Sequence, residues 1–371
     1  MIEAKNSKPK RQTTKRIIRV LIVDDSALVC EILKDRLSKE PWIEVVGTAP
    51  DPYAARDMIV KLRPDVMTLD VEMPRMNGVD FLKRLMPQYP IPVIMVSSLT
   101  RKGTRIAIEA LEAGAVDFVT KPSADLGHGL ENMLMELSTK IKIASTANVS
   151  HWKEKLFQLP SEQRILPTKE FKKADERVIA IGASTGGIEA ITEIVTKFPP
   201  LTPGVVIVQH MPPVFTTMFA DRLNSKSSMF VKEAENGDMI KPGVVLVAPG
   251  DKHLHIEKLG KSFRVKITNG DKVCGHRPSV EVMMQSMAKH VGANGIGVML
   301  SGMGSDGANG MLSMRNAGAR TIAQDEFTSV VFGMPKEAHK CGGVEKLMPL
   351  QKIVNEVIRL LSCSNNRSKR R

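Results

Sequence analysis

The chain has 371 residues, 42% hydrophobic, 25% charged and 4% aromatic, with a formal net charge of +13. That length accommodates two or three domains with cores of their own, and the composition excludes a fibrous or wholly disordered chain. Residues 1–19 carry +6 and residues 364–371 carry +4, leaving +3 for everything between, so the positive charge sits in basic ends expected to be disordered, and no nucleic-acid surface is expected. No apolar run approaches the roughly 20 residues of a transmembrane helix. The lysine-rich N-terminus lacks the apolar core of a signal peptide, so a cytoplasmic location with no integral membrane segment is expected. Cys30, Cys274, Cys341 and Cys363 are far apart in the sequence and read as reduced thiols.

From residue 19 to about 145, five short apolar runs begin at Val20, Val45, Val66, Val93 and Phe118, and segments of helical spacing separate them. Leu28, Ile32 and Leu33 are expected on one helix face, and Leu130, Met133, Leu134, Leu137 and Ile141 on another. Alternation of this kind predicts a doubly wound, parallel α/β sheet. The runs end at Asp24-Asp25, at Asp70, at Ser97 and at Thr120-Lys121-Pro122. Carboxyl ends of parallel strands meet at one crevice, so three carboxylates, a hydroxyl and a lysine converge there. Three such acids call for a counter-ion, most simply Mg²⁺ with its preference for oxygen ligands, and Lys121 adds a fixed positive charge.

This constellation, with Val23-Asp24-Asp25-Ser26, Asp70-Val71-Glu72-Met73-Pro74, Ser97 and Lys121-Pro122, resembles the receiver domain of bacterial response regulators. The resemblance implies that Asp70 is the phosphoacceptor for a histidine kinase. It implies further that Asp25, Asp70 and the Glu72 carbonyl hold Mg²⁺, that Asp24 acts through a metal-bound water, and that Ser97 and Lys121 contact the phosphoryl group. Asn77 stands where such receivers often have Asp, in a turn away from the acids.

Residues 146–176 read as a linker. His151 to Phe157 form a short amphipathic patch suited to docking, and Pro160, Pro167 and a charged run follow. Beyond the linker, apolar runs recur at 178–181, 205–208, 244–247, 297–300 and 321–323, with helix-like stretches such as Val280–Val291 between them. These predict a second, mostly parallel α/β sheet, to which His253–Glu257 and Phe263–Thr268 are expected to add a β-hairpin.

The first of these runs enters Gly182-Ala-Ser184-Thr-Gly-Gly187, followed by a helical segment. Taken alone, this stretch fits either a nucleophile elbow or a phosphate-cradling turn at a helix N-terminus. The next run ends at His210, and a later one leads into Ser301-Gly-Met303-Gly-Ser-Asp306-Gly307. Serine, histidine and aspartate at one sheet edge are what a nucleophile, its base and the orienting carboxylate require. Ser184, His210 and Asp306 are therefore the candidate catalytic residues, with the N–H of Thr185 or Met303 as the oxyanion donor. His253, His255, His276 and His290 are weaker candidates for the base, and Arg277 is placed to neutralise a nearby carboxylate.

The motifs Ile181-Gly-Ala-Ser-Thr-Gly-Gly187, Val208-Gln-His-Met-Pro212, Ala248-Pro-Gly-Asp251 and Leu300-Ser-Gly-Met-Gly-Ser-Asp-Gly307 resemble the catalytic domain of the chemotaxis protein-glutamate methylesterases. With the two resemblances, the charge distribution and the linker composition taken together, the chain is expected to divide into a basic tail at 1–18, a receiver at 19–145, a linker at 146–176, a catalytic domain at 177–362 and a second basic tail at 363–371. The resemblance to the methylesterases also implies phosphorylation-controlled hydrolysis of glutamate γ-methyl esters on chemoreceptors, and deamidation of receptor glutamines, with no cofactor for the esterase step. The alternative expectation is a non-enzymatic response regulator whose second domain binds a nucleotide or a protein partner.

Overall fold

A computed structural model describes residues 16–98, 101–122, 128–154, 171 and 174–362; the basic ends and residues 155–170, with Pro160 and Pro167, lie outside it. The N-terminal half alternates β1 (Ile18–Val23), α1 (Ala27–Leu37), β2 (Ile43–Ala49), α2 (Pro52–Leu62), β3 (Val66–Asp70), α3 (Gly78–Gln88), β4 (Val93–Ser98), α4 (Arg101–Glu112), β5 (Asp117–Lys121) and α5 (His128–Ala144). The strands form a parallel sheet in the order β2-β1-β3-β4-β5. All of β3 is buried, as expected of a strand covered by helices on both faces. The order reverses between β1 and β3, so their carboxyl ends, which carry Asp24-Asp25 and Asp70, open on the crevice.

Helix starts follow from local chemistry. Ser26, Asp51 and Asn77 each cap a helix with a side-chain oxygen that accepts a backbone N–H of its first turn. Asn77 therefore belongs to a helix cap, in keeping with its reading as a turn residue. One expected face differs. Leu33 is buried as expected, together with Cys30 and Leu37, but Leu28 is exposed. At 100° per residue, Leu28 lies on the far side of the helix from Cys30.

The chain continues through α6 (His151–Glu154), β6 (Val178–Ala183), α7 (Gly187–Val195), β7 (Gly204–Gln209), α8 (Phe215–Asn224), β8 (Phe230–Glu233), β9 (Met239–Ile240), β10 (Val244–Val247), β11 (His253–Leu259), β12 (Ser262–Thr268), α9 (Val280–His290), β13 (Gly295–Met299), α10 (Ala308–Asn316), β14 (Arg320–Gln324), α11 (Met334–Lys340), β15 (Lys346–Met348) and α12 (Leu350–Ser362). Seven parallel strands form the second sheet in the order β15-β14-β13-β6-β7-β10-β8. The central strands β6, β7 and β13 are buried throughout. They are neighbours in the sheet, so the loops after them share one edge.

The hairpin expected to extend this sheet does not. β11 and β12 pair with β9 in a separate antiparallel sheet. Its β11 is tied to α9 by the Ile256 N–H, which donates to Ser286 Oγ at 2.9 Å, and this places the hairpin over a helix instead of at the sheet edge. Strands β8, β9 and β15 were not expected. They are short, and exposed Phe230 and Met239 blur the alternation that would mark the first two.

Candidate active site and phosphoacceptor site

Ser184 follows β6 on a turn that leads into α7, whose N-cap Gly186 has φ 76°. The turn is fixed to the loop after β13. Ser184 N–H donates to the Ser301 carbonyl at 3.0 Å, and Ser301 Oγ donates to the Thr185 carbonyl at 2.8 Å. Gly302 is required by this approach, because a Cβ there would come within 2.8 Å of Ser184 Cβ. From β7, Gln209 Nε2 donates to the Ser184 carbonyl at 2.9 Å, and His210 N–H donates to the Ala183 carbonyl.

His210 and Asp306 meet directly, with 2.7 Å between Nε2 and Oδ2 and almost no solvent exposure of either side chain. Asp306 also accepts from Ser279 Oγ at 2.7 Å, from Val280 N–H at 2.7 Å and from Glu281 N–H at 3.0 Å. These donors belong to the N-cap and first turn of α9, where free N–H groups favour an anion. Burial by itself raises the Asp306 carboxyl, but its bonds to His210, Ser279 and Glu281 outweigh burial and hold it below the ordinary carboxylate value. It is an ionised acceptor at neutral pH.

His210 Nδ1 is buried without a hydrogen-bond partner among the described residues. A buried polar atom left unpaired costs about 1–3 kcal/mol, so each such atom needs a reason. Here the unpaired atom is the ring nitrogen not engaged by Asp306, in a cleft that Ser184 also lines. With Ser184 N–H already given to Ser301, the N–H groups of Thr185 and Met303 donate to nothing among the described residues. Both residues border the same cleft. The serine, histidine, aspartate and both oxyanion candidates are thus brought together.

In the first sheet, carboxylate oxygens of Asp24, Asp25 and Asp70 lie within 4.8 Å of one another. Lys121 Nζ, at the end of β5, is 2.9 Å from both Asp24 and Asp70. Burial raises the Asp70 carboxyl above its ordinary value despite Lys121. Burial works to lower the Lys121 ammonium, but hydrogen bonds and charge from Asp24 and Asp70 prevail and raise it. Asp24 and Asp70 are buried and Asp25 is exposed, so the trio opens to solvent on one side. Three hard oxygen donors beside a fixed cation fit a divalent ion such as Mg²⁺. Glu72 is exposed on the loop after β3, and buried Ser97 donates through Oγ to the Gly103 carbonyl at 3.2 Å.

The two domains face each other across a cleft of about 970 Å³, lined by Ser184, Thr185, His210 and Met303 on one side and by Asp117, Phe118 and Lys140 on the other. Thr185 Oγ1 donates to Asp117 Oδ2 at 3.1 Å. Phe118 stacks on Phe215 with ring centroids 4.2 Å apart. Glu112 takes Arg222 at 2.6 Å and Lys226 at 2.7 Å. Asn148 N–H donates to the Val330 carbonyl at 2.8 Å. The docking expected of the 151–157 patch is seen in its described part. Trp152 is buried against Gly114, whose φ of 110° and lack of a Cβ admit the indole, and His151 Nε2 lies 3.5 Å from Glu189.

Two features of the site escaped the sequence reading. Ser279, the N-cap of α9, was legible only as a helix start. Asp117 reaches Thr185 through domain packing, which leaves no local signal. His276, a weaker candidate for the base, stacks on His210 with centroids 3.7 Å apart. The carboxylate that Arg277 neutralises, as expected, is Asp251, 2.7 Å away, and both residues border the cleft.

Residues 20–128 match the response regulator receiver domain family, and residues 179–357 match the CheB methylesterase family. The chain is 59% identical over 345 residues to a protein-glutamate methylesterase/protein-glutamine glutaminase of Syntrophotalea carbinolica, covering 93% of this chain and 98% of that one. A relative of the same description from Salmonella typhimurium is 48% identical, over 93% of this chain and 97% of its own. Among solved structures, the Thermotoga maritima CheB methylesterase catalytic domain is 38% identical at a TM-score of 0.49, covering 50% of this chain and 98% of that one.

Proposed function

This chain belongs to the protein-glutamate methylesterase/protein-glutamine glutaminase family, and from that premise we propose that it hydrolyses glutamate γ-methyl esters on chemoreceptors and deamidates particular receptor glutamines. Residues 19–145 act as a receiver and residues 177–362 as the catalytic domain, joined by the linker 146–176 and flanked by the tails 1–18 and 363–371. No helix among the described residues is long and apolar enough to cross a membrane. We place the enzyme in the cytoplasm, with access to the cytoplasmic segments of its receptors.

Ser184 Oγ attacks the ester carbonyl carbon while His210 Nδ1 takes the hydroxyl proton. Backbone N–H groups of Thr185 and Met303 receive the charge that develops on the carbonyl oxygen. As the tetrahedral species collapses, His210 returns the proton to the leaving oxygen, and methanol departs from a glutamyl-serine ester. Water then attacks that ester with His210 again as base, which frees the glutamate carboxylate and restores the serine. With a glutamine substrate the same acyl-enzyme forms by loss of ammonia. Asp306 stays ionised throughout, keeps the proton of neutral His210 on Nε2 and stabilises the imidazolium.

The observation that carries this reading is the 2.7 Å contact of His210 Nε2 with Asp306, with Nδ1 left unpaired in the cleft that holds Ser184. Methanol release from methylated receptor membranes tests it. Wild type should release methanol and Ser184→Ala should not; equal release by both overturns the assignment.

In the receiver, Asp70 accepts a phosphoryl group from a histidine kinase. Asp24, Asp25 and Asp70, with the Glu72 carbonyl, are the groups to hold Mg²⁺, which when bound neutralises charge on the phosphoryl oxygens. Lys121 and Ser97 contact the phosphoryl group and report its presence. The receiver limits entry to the cleft by its packing through Asp117, Phe118 and Glu112. Phosphorylation weakens that packing and raises the population of open enzyme. Turnover should rise with a small-molecule phosphodonor and Mg²⁺; a rise that survives Asp70→Asn overturns the regulatory assignment.

A further inference from the structure

His276 lies outside the serine–histidine–aspartate set, yet its imidazole is stacked on that of His210, with centroids 3.7 Å apart and planes 10° from parallel. The residue is held from behind by its own backbone. His276 N–H donates to the Val273 carbonyl at 2.9 Å, and Val273 N–H donates to the His276 carbonyl at 3.1 Å. Cys274 and Gly275, with φ 52° and 81°, make the tight turn between them. This four-residue clamp presents the ring to the cleft wall.

Burial, then the neighbouring His210, pushes the His276 pKa down to about 4. The ring is neutral near pH 7, so it brings no second charge against the His210 face when that residue carries a proton. It is also a poor base at that pH. What the ring offers is a flat apolar contact that leaves both nitrogens on the His210 edge free.

His210 needs such a contact. Asp306 engages Nε2 alone, and a ring held at one atom can still pivot about that bond. Nδ1 has no partner to stop it among the described residues. The Phe118–Phe215 stack joins β5 to α8 and involves neither imidazole, so no contact among those described replaces the stack on His210.

We propose that His276 is a positioning residue for His210, whose stacked ring fixes the imidazole plane so that Nε2 stays on Asp306 while Nδ1 stays presented to the serine turn. The proposal rests on His210 being the base. An aromatic contact of this geometry acts in the transition state and is not needed to bind the ester, so its removal is expected to lower kcat by about tenfold and leave KM within about twofold.

The test is methanol release from methylated receptor membranes by full-length His276→Ala, His276→Asn and His276→Phe, with His210→Ala alongside. Ala and Asn should lose about tenfold in kcat at near-constant KM, and Phe, which stacks but cannot hydrogen-bond, should recover most of that loss. If Ala folds too poorly to assay, Asn and Phe still decide, because only Phe restores the stack. Equal losses in Asn and Phe, rescue by Asn alone, or a rise in KM at constant kcat each overturn the positioning role. Wild-type kcat in all three with an inactive His210→Ala rejects the role and leaves the base assignment standing. An active His210→Ala rejects the base assignment itself.

Discussion

Asp306→Asn removes one charge and reverses one hydrogen-bonding edge while leaving the shape of the site almost unchanged. The carboxylate has two distinct oxygens. Oδ1 accepts from Ser279 Oγ and Glu281 N–H, and Oδ2 accepts from His210 Nε2 and Val280 N–H. An amide can accept on only one side. With its oxygen at the Oδ1 position, its NH₂ meets the Val280 N–H as donor against donor and faces His210. The imidazole can then satisfy that NH₂ only by moving its proton from Nε2 to Nδ1, the tautomer that cannot take a proton from Ser184. With the amide reversed, its NH₂ meets Glu281 N–H instead, and the helix start loses a bond. The wrong tautomer is expected to lower kcat by roughly 10³- to 10⁴-fold, and each lost charge-assisted bond to cost about 1.5–3 kcal/mol of stability. Methanol release measures the first effect and a urea midpoint the second. An Asp306→Asn enzyme that keeps kcat within about tenfold of wild type refutes the tautomer argument.

Other outcomes follow from the same geometry. Glu112→Gln, which weakens the contacts to Arg222 and Lys226 without touching the triad, should raise turnover of the unphosphorylated enzyme by about three- to tenfold; unchanged turnover means this contact does not restrain the receiver. Lys121→Ala removes the cation shared by Asp24 and Asp70 and should abolish activation by phosphodonor while leaving basal methanol release intact. For His276, faced by His210, Asp306 and Lys272, the folded pKa of about 4 lies below the ordinary histidine value of 6.5. As pH falls, the unfolded chain takes the proton first, so stability is intact above pH 6.5 and is lost progressively down to about pH 4. The loss is at most about 3 kcal/mol and smaller for a partly exposed ring. Urea midpoints of His276→Phe should therefore fall less steeply over that window than those of wild type.

Much of the architecture was legible because the two parallel sheets follow the same local rule. Buried central strands need near-continuous apolar runs, and 66–69, 178–181 and 205–208 announced β3, β6 and β7 for that reason. Their chemistry was legible because polar residues at carboxyl ends of adjacent strands must share an edge. That places Ser184 beside His210 and Asp70 beside Asp24 without knowledge of the packing. What escaped depends on packing between elements. Leu28 followed the pattern of a buried face, but the sheet meets the helix on the side of Cys30. The hairpin carried the right alternation for a strand pair, yet alternation does not say which sheet a pair joins, and α9 took it. His276 sits in a turn whose sequence, Val273-Cys-Gly-His276, describes a bend and says nothing of the ring it will meet.

Strand β5 is where the two sites come nearest in chain terms. Lys121 at its carboxyl end bridges Asp24 and Asp70, while Asp117 and Phe118 at its other end touch Thr185 and Phe215. One extended segment of five residues therefore borders both the phosphoacceptor and the serine turn. Contiguity does not by itself carry free energy; coupling requires an element with two arrangements that both sites bias. The contacts of Asp117 supply a way to ask for one. Its Oδ1 pairs with Lys140 at 3.0 Å and its Oδ2 accepts from Thr185, so Asp117→Asn weakens the first and keeps a carbonyl for the second. If β5 transmits the state of Asp70, this substitution should change the ratio of phosphorylated to unphosphorylated turnover more than it changes the turnover of a fully open enzyme. If both states change by the same factor, β5 is only a shared wall, and the coupling runs through the helices that carry Glu112 and Arg222.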